Sequence, residues 1–126
     1  MEKEQARQLA ESVAWGRIAI GITALVAPTL PLRPWVGRDF AWQPRAKLLA
    51  RSLGARDLAL GVGVILALKK GAPVRGWIEG SGVADAGDAL STLLAFGKLP
   101  KGGRWLVLLS AAGAAATARI AAPAVD

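Results

Sequence analysis

Trp105–Ala118 reads "WLVLLSAAGAAATA", fourteen residues without a charge, opened by a tryptophan and closed by Arg119. Val, Leu and Ala mix there without strict alternation, so a strand fits poorly and a helix fits well. Its length suits a buried helix of a soluble bundle as well as part of a membrane span. The tryptophan at its edge decides between them. Three further apolar segments surround it: Val13–Leu32, Leu48–Leu68 and Trp77–Gly97, with the fourth extending over Trp105–Val125. Each is about 20 residues, which at a rise of ~1.5 Å covers a hydrocarbon core of ~30 Å. Trp15, Trp77 and Trp105 lie near segment ends, and Trp35 and Trp42 lie in the connection between the first two. This is the headgroup-level belt of a membrane protein. The expected fold is therefore all-α, a single four-transmembrane-helix antiparallel bundle spanning residues 1–126.

Composition agrees. The hydrophobic fraction is 53% and the mean hydropathy +0.39, more apolar surface than a 13 kDa soluble protein readily hides. The longest uncharged run, Ile18–Leu32, is interrupted near its end by Pro28 and Pro31. "KKGAPVRG" and "GKLPKGGR" are turns between the later segments, so their helices run up and down. Arg33–Lys47, with Trp35, Phe40 and Trp42 among basic residues, is expected to be an interfacial loop, or more specifically a lid over a cavity. Met1–Glu11 is a polar helical extension of the first segment, without the basic start and cleavage motif of a signal peptide.

The chain lacks Cys and His, which removes thiolate chemistry, disulfides, and the commonest general base and metal ligand. No metal or cofactor is expected. The net charge of +7 is spread over short clusters between apolar segments, as in membrane loops rather than a nucleic-acid-binding stripe. Expected partners are the lipid bilayer and a small-molecule ligand, with no nucleic acid. Localisation is to the cell membrane as a multi-pass protein, the inner membrane of a bacterium. Basic residues divide five (Lys3, Arg7, Lys69, Lys70, Arg75) against seven (Arg33, Arg38, Arg45, Lys47, Lys98, Lys101, Arg104), a bias slight enough to allow an inverted homodimer.

Function rests on the charges inside the segments. In "GSGVADAGDAL", Gly80–Leu90, Asp85 and Asp88 are three apart and share a helix face with Ser81 and Thr92. Arg56 and Asp57 lie at the same depth in the second segment. Arg17 and Arg119 fall roughly 6–8 Å from the midplane in one half of the membrane. Three positive residues (Arg17, Arg56, Arg119) are thus expected to face three negative ones (Asp57, Asp85, Asp88). Unpaired, each would cost about 2.5–3.5 kcal/mol on insertion scales, so they should pair inward or line a wet cavity.

"RSLGARDLALGVGVIL", "RIAIG" and "DAGDAL" together resemble a family of small four-helix bacterial membrane proteins of unknown function, loosely DoxX-like. The resemblance covers Arg17 to Ala95 and implies four transmembrane helices but no activity.

Three functions compete. In the first, Asp85, Asp88 and Asp57 exchange protons for a small solute, preferably an anion or neutral molecule, held by Arg17, Arg56, Arg119 and Ser81. In the second, an Asp–Arg–Asp cluster is an acid–base hydrolase, isomerase or cyclase site for a lipophilic substrate. In the third, the charges are a purely structural network in an accessory subunit.

Overall fold

The computed structural model describes residues 1–126. It is all-helical: α1 (Lys3–Val26), α2 (Thr29–Val36), α3 (Arg38–Ala41), α4 (Pro44–Lys70), α5 (Arg75–Leu94) and α6 (Lys101–Ala121), with short 3-10 turns at Phe96–Lys98 and Ala122–Ala124. The polar N-terminal extension is continuous with α1. The first segment ends earlier than its hydropathy suggests, at Val26, because Pro28 and Pro31 lie immediately beyond. Arg33–Lys47 is helical over most of its length rather than a loop. Its first part belongs to α2, which packs on α6, with the Pro34 backbone directly against Gly103. Gly37, at φ 93°, turns the chain from α2 into α3.

α1 and α4 run antiparallel along matched stripes of small residues. On α1 the buried stripe is Ala6, Ala10, Ala14, Arg17, Gly21 and Ala24. On α4, Ala46, Ala50, Gly54, Asp57, Gly61 and Val64 repeat the same three- and four-residue spacing. Glycine is required where the backbones meet: a Cβ on Gly21 would lie 2.7 Å from the Gly54 carbonyl oxygen and 2.8 Å from the Leu58 nitrogen. One on Gly61 would lie 2.7 Å from the Ala14 carbonyl oxygen. Small-residue faces of this kind let helices approach closely. Gly21→Ala must push the helices apart, and an overpacking cost of about 1–3 kcal/mol is expected. A lowered thermal midpoint of the purified protein checks it. α5 and α6 form the second antiparallel pair. Ala118 seats on Gly82, and the rings of Phe96 and Trp105 meet edge to face at 5.0 Å.

The large apolar side chains point outward instead. Val26, Leu48, Val83, Leu94, Leu106 and Leu109 are all strongly exposed, Leu94 at 82%, whereas most buried apolar side chains are Ala, the larger ones being Leu32, Val64, Ile65, Val74, Ile78 and Val125. Trp15, Trp42, Trp77 and Trp105 are also exposed, between 43% and 57%, and Trp35 alone turns inward. Two helical stretches, Lys3–Val26 and Lys101–Ala124, are long and apolar enough to cross a membrane. α4 and α5, at 27 and 20 residues, have the length, but they carry the charges discussed below.

Charged residues also close the ends. Arg51 donates from Nε to the Leu25 carbonyl at 3.1 Å, satisfying an orphan acceptor at the end of α1. Asp126 caps α5 from the far end of the chain, accepting from the Val74 and Arg75 amides at 2.8 and 3.1 Å. Lys3 donates to the Asp126 carbonyl oxygen. The Val74 amide, aided by that of Arg75 and by the Lys3 and Arg7 charges, holds the Asp126 carboxyl below its ordinary range. A depressed acid stabilises the fold above its unfolded pKa and loses that contribution as pH falls through the folded value. Asp126→Asn is therefore expected to speed hydrogen exchange at Val74 and Arg75 at neutral pH, and the difference from wild type should shrink below about pH 4.

Candidate functional site

Arg17 is the one large residue in the α1 stripe, and Asp57 occupies the facing place on α4. The match brings Arg17 Nη1 to 2.8 Å from Asp57 Oδ1. Arg17 Nη2 donates to Asp85 Oδ2 on α5 and reaches the Ser81 carbonyl oxygen one turn earlier, at 3.4 Å. Arg56, next to Asp57 and so turned ~100° around α4, faces α5. There it forks onto Asp88, with Nη1 to Oδ1 at 3.0 Å and Nη2 to Oδ2 at 2.6 Å, and touches Asp57 Oδ1 at 3.3 Å. Fork-to-fork pairing of this kind is geometrically specific and charge-assisted.

The cluster is buried at Arg17 and Asp85, whose side chains are 8% and 11% exposed, and more open at Arg56 and Asp88, at 30% and 22%. It also joins the two halves of the fold. α1 packs extensively on α4 and α5 on α6, whereas α4 with α5 and α1 with α6 pack sparsely. The arginine–aspartate pairs span the gap between the two helix pairs. Beside them the gap widens into a cleft of about 470 Å³ between α1, α2, α5 and α6. Its charged floor is Arg17, Asp57, Asp85 and Asp88. Ile20 and Leu106 on its rim are 55% and 60% exposed, so it opens outward between α1 and α6. Pro31, Pro34 and Trp35 of α2 form one wall, the position a lid would take. Trp35 is held by its Nε1, which donates to Thr92 Oγ1 at 3.1 Å. Thr92 in turn donates to the Asp88 carbonyl oxygen.

Chain comparisons add nothing to this geometry. No family model, curated protein or solved structure matches the chain.

Of the sequence candidates, Arg17, Arg56, Asp57, Asp85, Asp88 and Ser81 are brought together and Arg119 is not. Arg119 is exposed and shares a separate groove of about 330 Å³ with Glu79, Gly82 and Ala115. Depth alone had placed it in the cluster. α6 presents Ala111 and Ala114 to the cleft, and Arg119 lies five residues beyond Ala114, about 140° round the helix. The cluster thus holds two arginines against three aspartates, one positive charge fewer than expected.

Trp35 and the α6 wall of Leu106, Val107 and Ser110 are site residues that the sequence reading missed. The spacing of Pro31 and Trp35, four apart, was the available signal, since it puts both on one face once Thr29–Val36 is a helix. No three carboxylates converge into a metal-ligand set.

Ser81 and Asp85 also border a small void of about 30 Å³ together with Arg17. Ser81 Oγ and Arg17 Nε are buried there without a hydrogen-bond partner. The volume is that of a single water, and most of the lining is apolar: Leu9, Val13, Val64 and Ile78 border it beside these polar groups.

Proposed function

We propose that this protein is a four-span inner-membrane protein whose Asp/Arg site binds a small solute and carries it in exchange with protons. One observation carries the reading: the buried arginine–aspartate cluster forms the floor of an open 470 Å³ cleft, rather than being sealed between packed helices. Ionisable groups within a membrane default to such pathways. The inverted distribution of side chains supports the four-span part, with small residues and charges inside and large apolar residues outside. Of the charges on α4 and α5, Arg56, Asp57, Asp85 and Asp88 are drawn into the cluster, whereas Arg51 and Glu79 are exposed nearer the helix ends.

Two experiments test this. The chain has no cysteine, so a single introduced one reports its own surroundings. Cysteines at Ala72, in the turn before α5, and at Lys101, the first residue of α6, are expected to label from opposite sides of a sealed vesicle. Labelling from one side sinks the four-span arrangement. For transport, the purified chain in liposomes is expected to let an added solute discharge an imposed pH gradient. A panel of cationic, neutral and anionic solutes that leaves the gradient unchanged sinks the exchange.

One observation favours a structural role: Arg17 and Arg56 are both paired to carboxylates. On that reading, every cluster variant loses assembly and none alters proton movement selectively.

A further inference from the structure

Resting on the solute-site reading above, we infer that the cleft takes a small organic cation, an ammonium borne on an apolar or aromatic body, which competes with a proton for the same carboxylates. The first support is the charge count. Arg17 and Arg56 stand against Asp57, Asp85 and Asp88, and Arg119 lies elsewhere. In an interior of low dielectric, a surplus carboxylate is neutralised either by a proton or by a cation close by.

The second support is what the cleft offers a ligand. Both guanidiniums are committed: Arg17 to Asp57 and Asp85, Arg56 to Asp88 and Asp57. The Nε of each is buried without a partner, out of reach from the cleft. The contacts to Asp57 and Asp85 use Asp57 Oδ1 and Asp85 Oδ2, and leave Asp57 Oδ2 and Asp85 Oδ1 without hydrogen bonds. A ligand therefore meets carboxylate acceptors of Asp57 and Asp85, with the positive charges already satisfied. An anion would find negative charge and few free donors. An N–H-bearing cation finds complementary groups.

The third support is the wall. Ile20, Pro31, Trp35 and Leu106 give an apolar lining, and Trp35 has its indole N–H tied to Thr92. A fixed indole beside a desolvated carboxylate suits a cation with an apolar body. At about 470 Å³ the cleft is far larger than an inorganic ion needs, and no ligand set converges to dehydrate one. The exchange balances: one cation enters as one proton leaves, so the floor's net charge is unchanged. The sequence favoured an anion or neutral solute because arginines repel a cation and no aromatic cage is evident in it; in the structure both cluster arginines are paired to carboxylates.

The test uses the full chain in lipid nanodiscs, against protein-free nanodiscs, with three matched probes: phenethylammonium, 2-phenylethanol and phenylacetate. Calorimetry near neutral pH is expected to show the ammonium binding at least about tenfold more tightly than the alcohol. The heat should vary with the buffer's ionisation enthalpy in the sense of proton release. Below the site's titration, affinity should fall about tenfold per pH unit. Asp85→Asn should erase the preference for the ammonium. If that variant does not fold, the pH dependence and probe ranking of the wild type stand as the test. Equal or tighter binding of the alcohol or of phenylacetate overturns the cation inference while leaving the solute site intact. Failure of all three probes also overturns it, and the solute site is then decided separately by the vesicle assay.

Discussion

Arg17→Met is expected to be the most destabilising substitution in the protein, by about 3–5 kcal/mol. Arg17 lies at the crossing of α1, α4 and α5 and neutralises Asp57 and Asp85 together. Without it, both carboxylates remain in a site where Arg17 itself is only 8% exposed, and Arg56 is already committed to Asp88. Methionine keeps most of the volume, so the loss measures charge rather than a cavity. It differs from the Gly21→Ala loss because it has a rescue. Arg17→Met with Asp85→Asn leaves Asp57 beside Arg56 and removes the other orphan, so the double variant should be more stable than the single one. Thermal unfolding of the four proteins of this cycle gives the coupling directly. A double variant no better than Arg17→Met would mean that Arg17 acts mainly through packing.

Asp85→Asn is expected to have the larger functional effect, on the order of 10²-fold or more in proton-coupled flux, the scale of removing a general acid–base group, with only a modest change in stability. Arg17 keeps Asp57 at 2.8 Å, and the asparagine amide oxygen still accepts from Nη2. Charges then balance, two against two, and the site has no surplus carboxylate to take up and release a proton. The readout is the initial rate of pH-gradient discharge in vesicles holding equal amounts of folded protein. Asp88→Asn has a different signature. Arg56 loses its forked partner, so stability should fall along with flux. A purely structural network predicts the same ordering of stability and flux for the two variants. A site with a proton-carrying carboxylate separates them at Asp85.

Residues along one helix were legible because azimuth follows from spacing. Ser81, Asp85, Asp88 and Thr92 are separated by four, three and four residues, and the structure finds them on one inward face. The matched spacing of Arg17 and Gly21 on α1 with Asp57 and Gly54 on α4 was present in the sequence in the same way. Gly61 and Gly63 serve packing, Gly61 against the Ala14 carbonyl and Gly63 beneath the Trp77 ring.

Across helices, depth was legible and direction was not. Arg119 sits at a depth compatible with the cluster, but its azimuth depends on which face α6 presents, and Gly82 decides that by seating Ala118. The place of Trp35 between apolar segments suits a headgroup anchor. Trp35 turns inward because α2 folds back onto α6, with Pro34 against Gly103. The sequence by itself determined the helices, their small-residue seams and the identity of the buried charges, all consequences of local spacing and composition. The tertiary structure decided which charges meet, that three aspartates share two arginines, and that the gap between the helix pairs stays open as a cleft. Those depend on the rotation and separation of helices far apart in the chain, which no local pattern encodes.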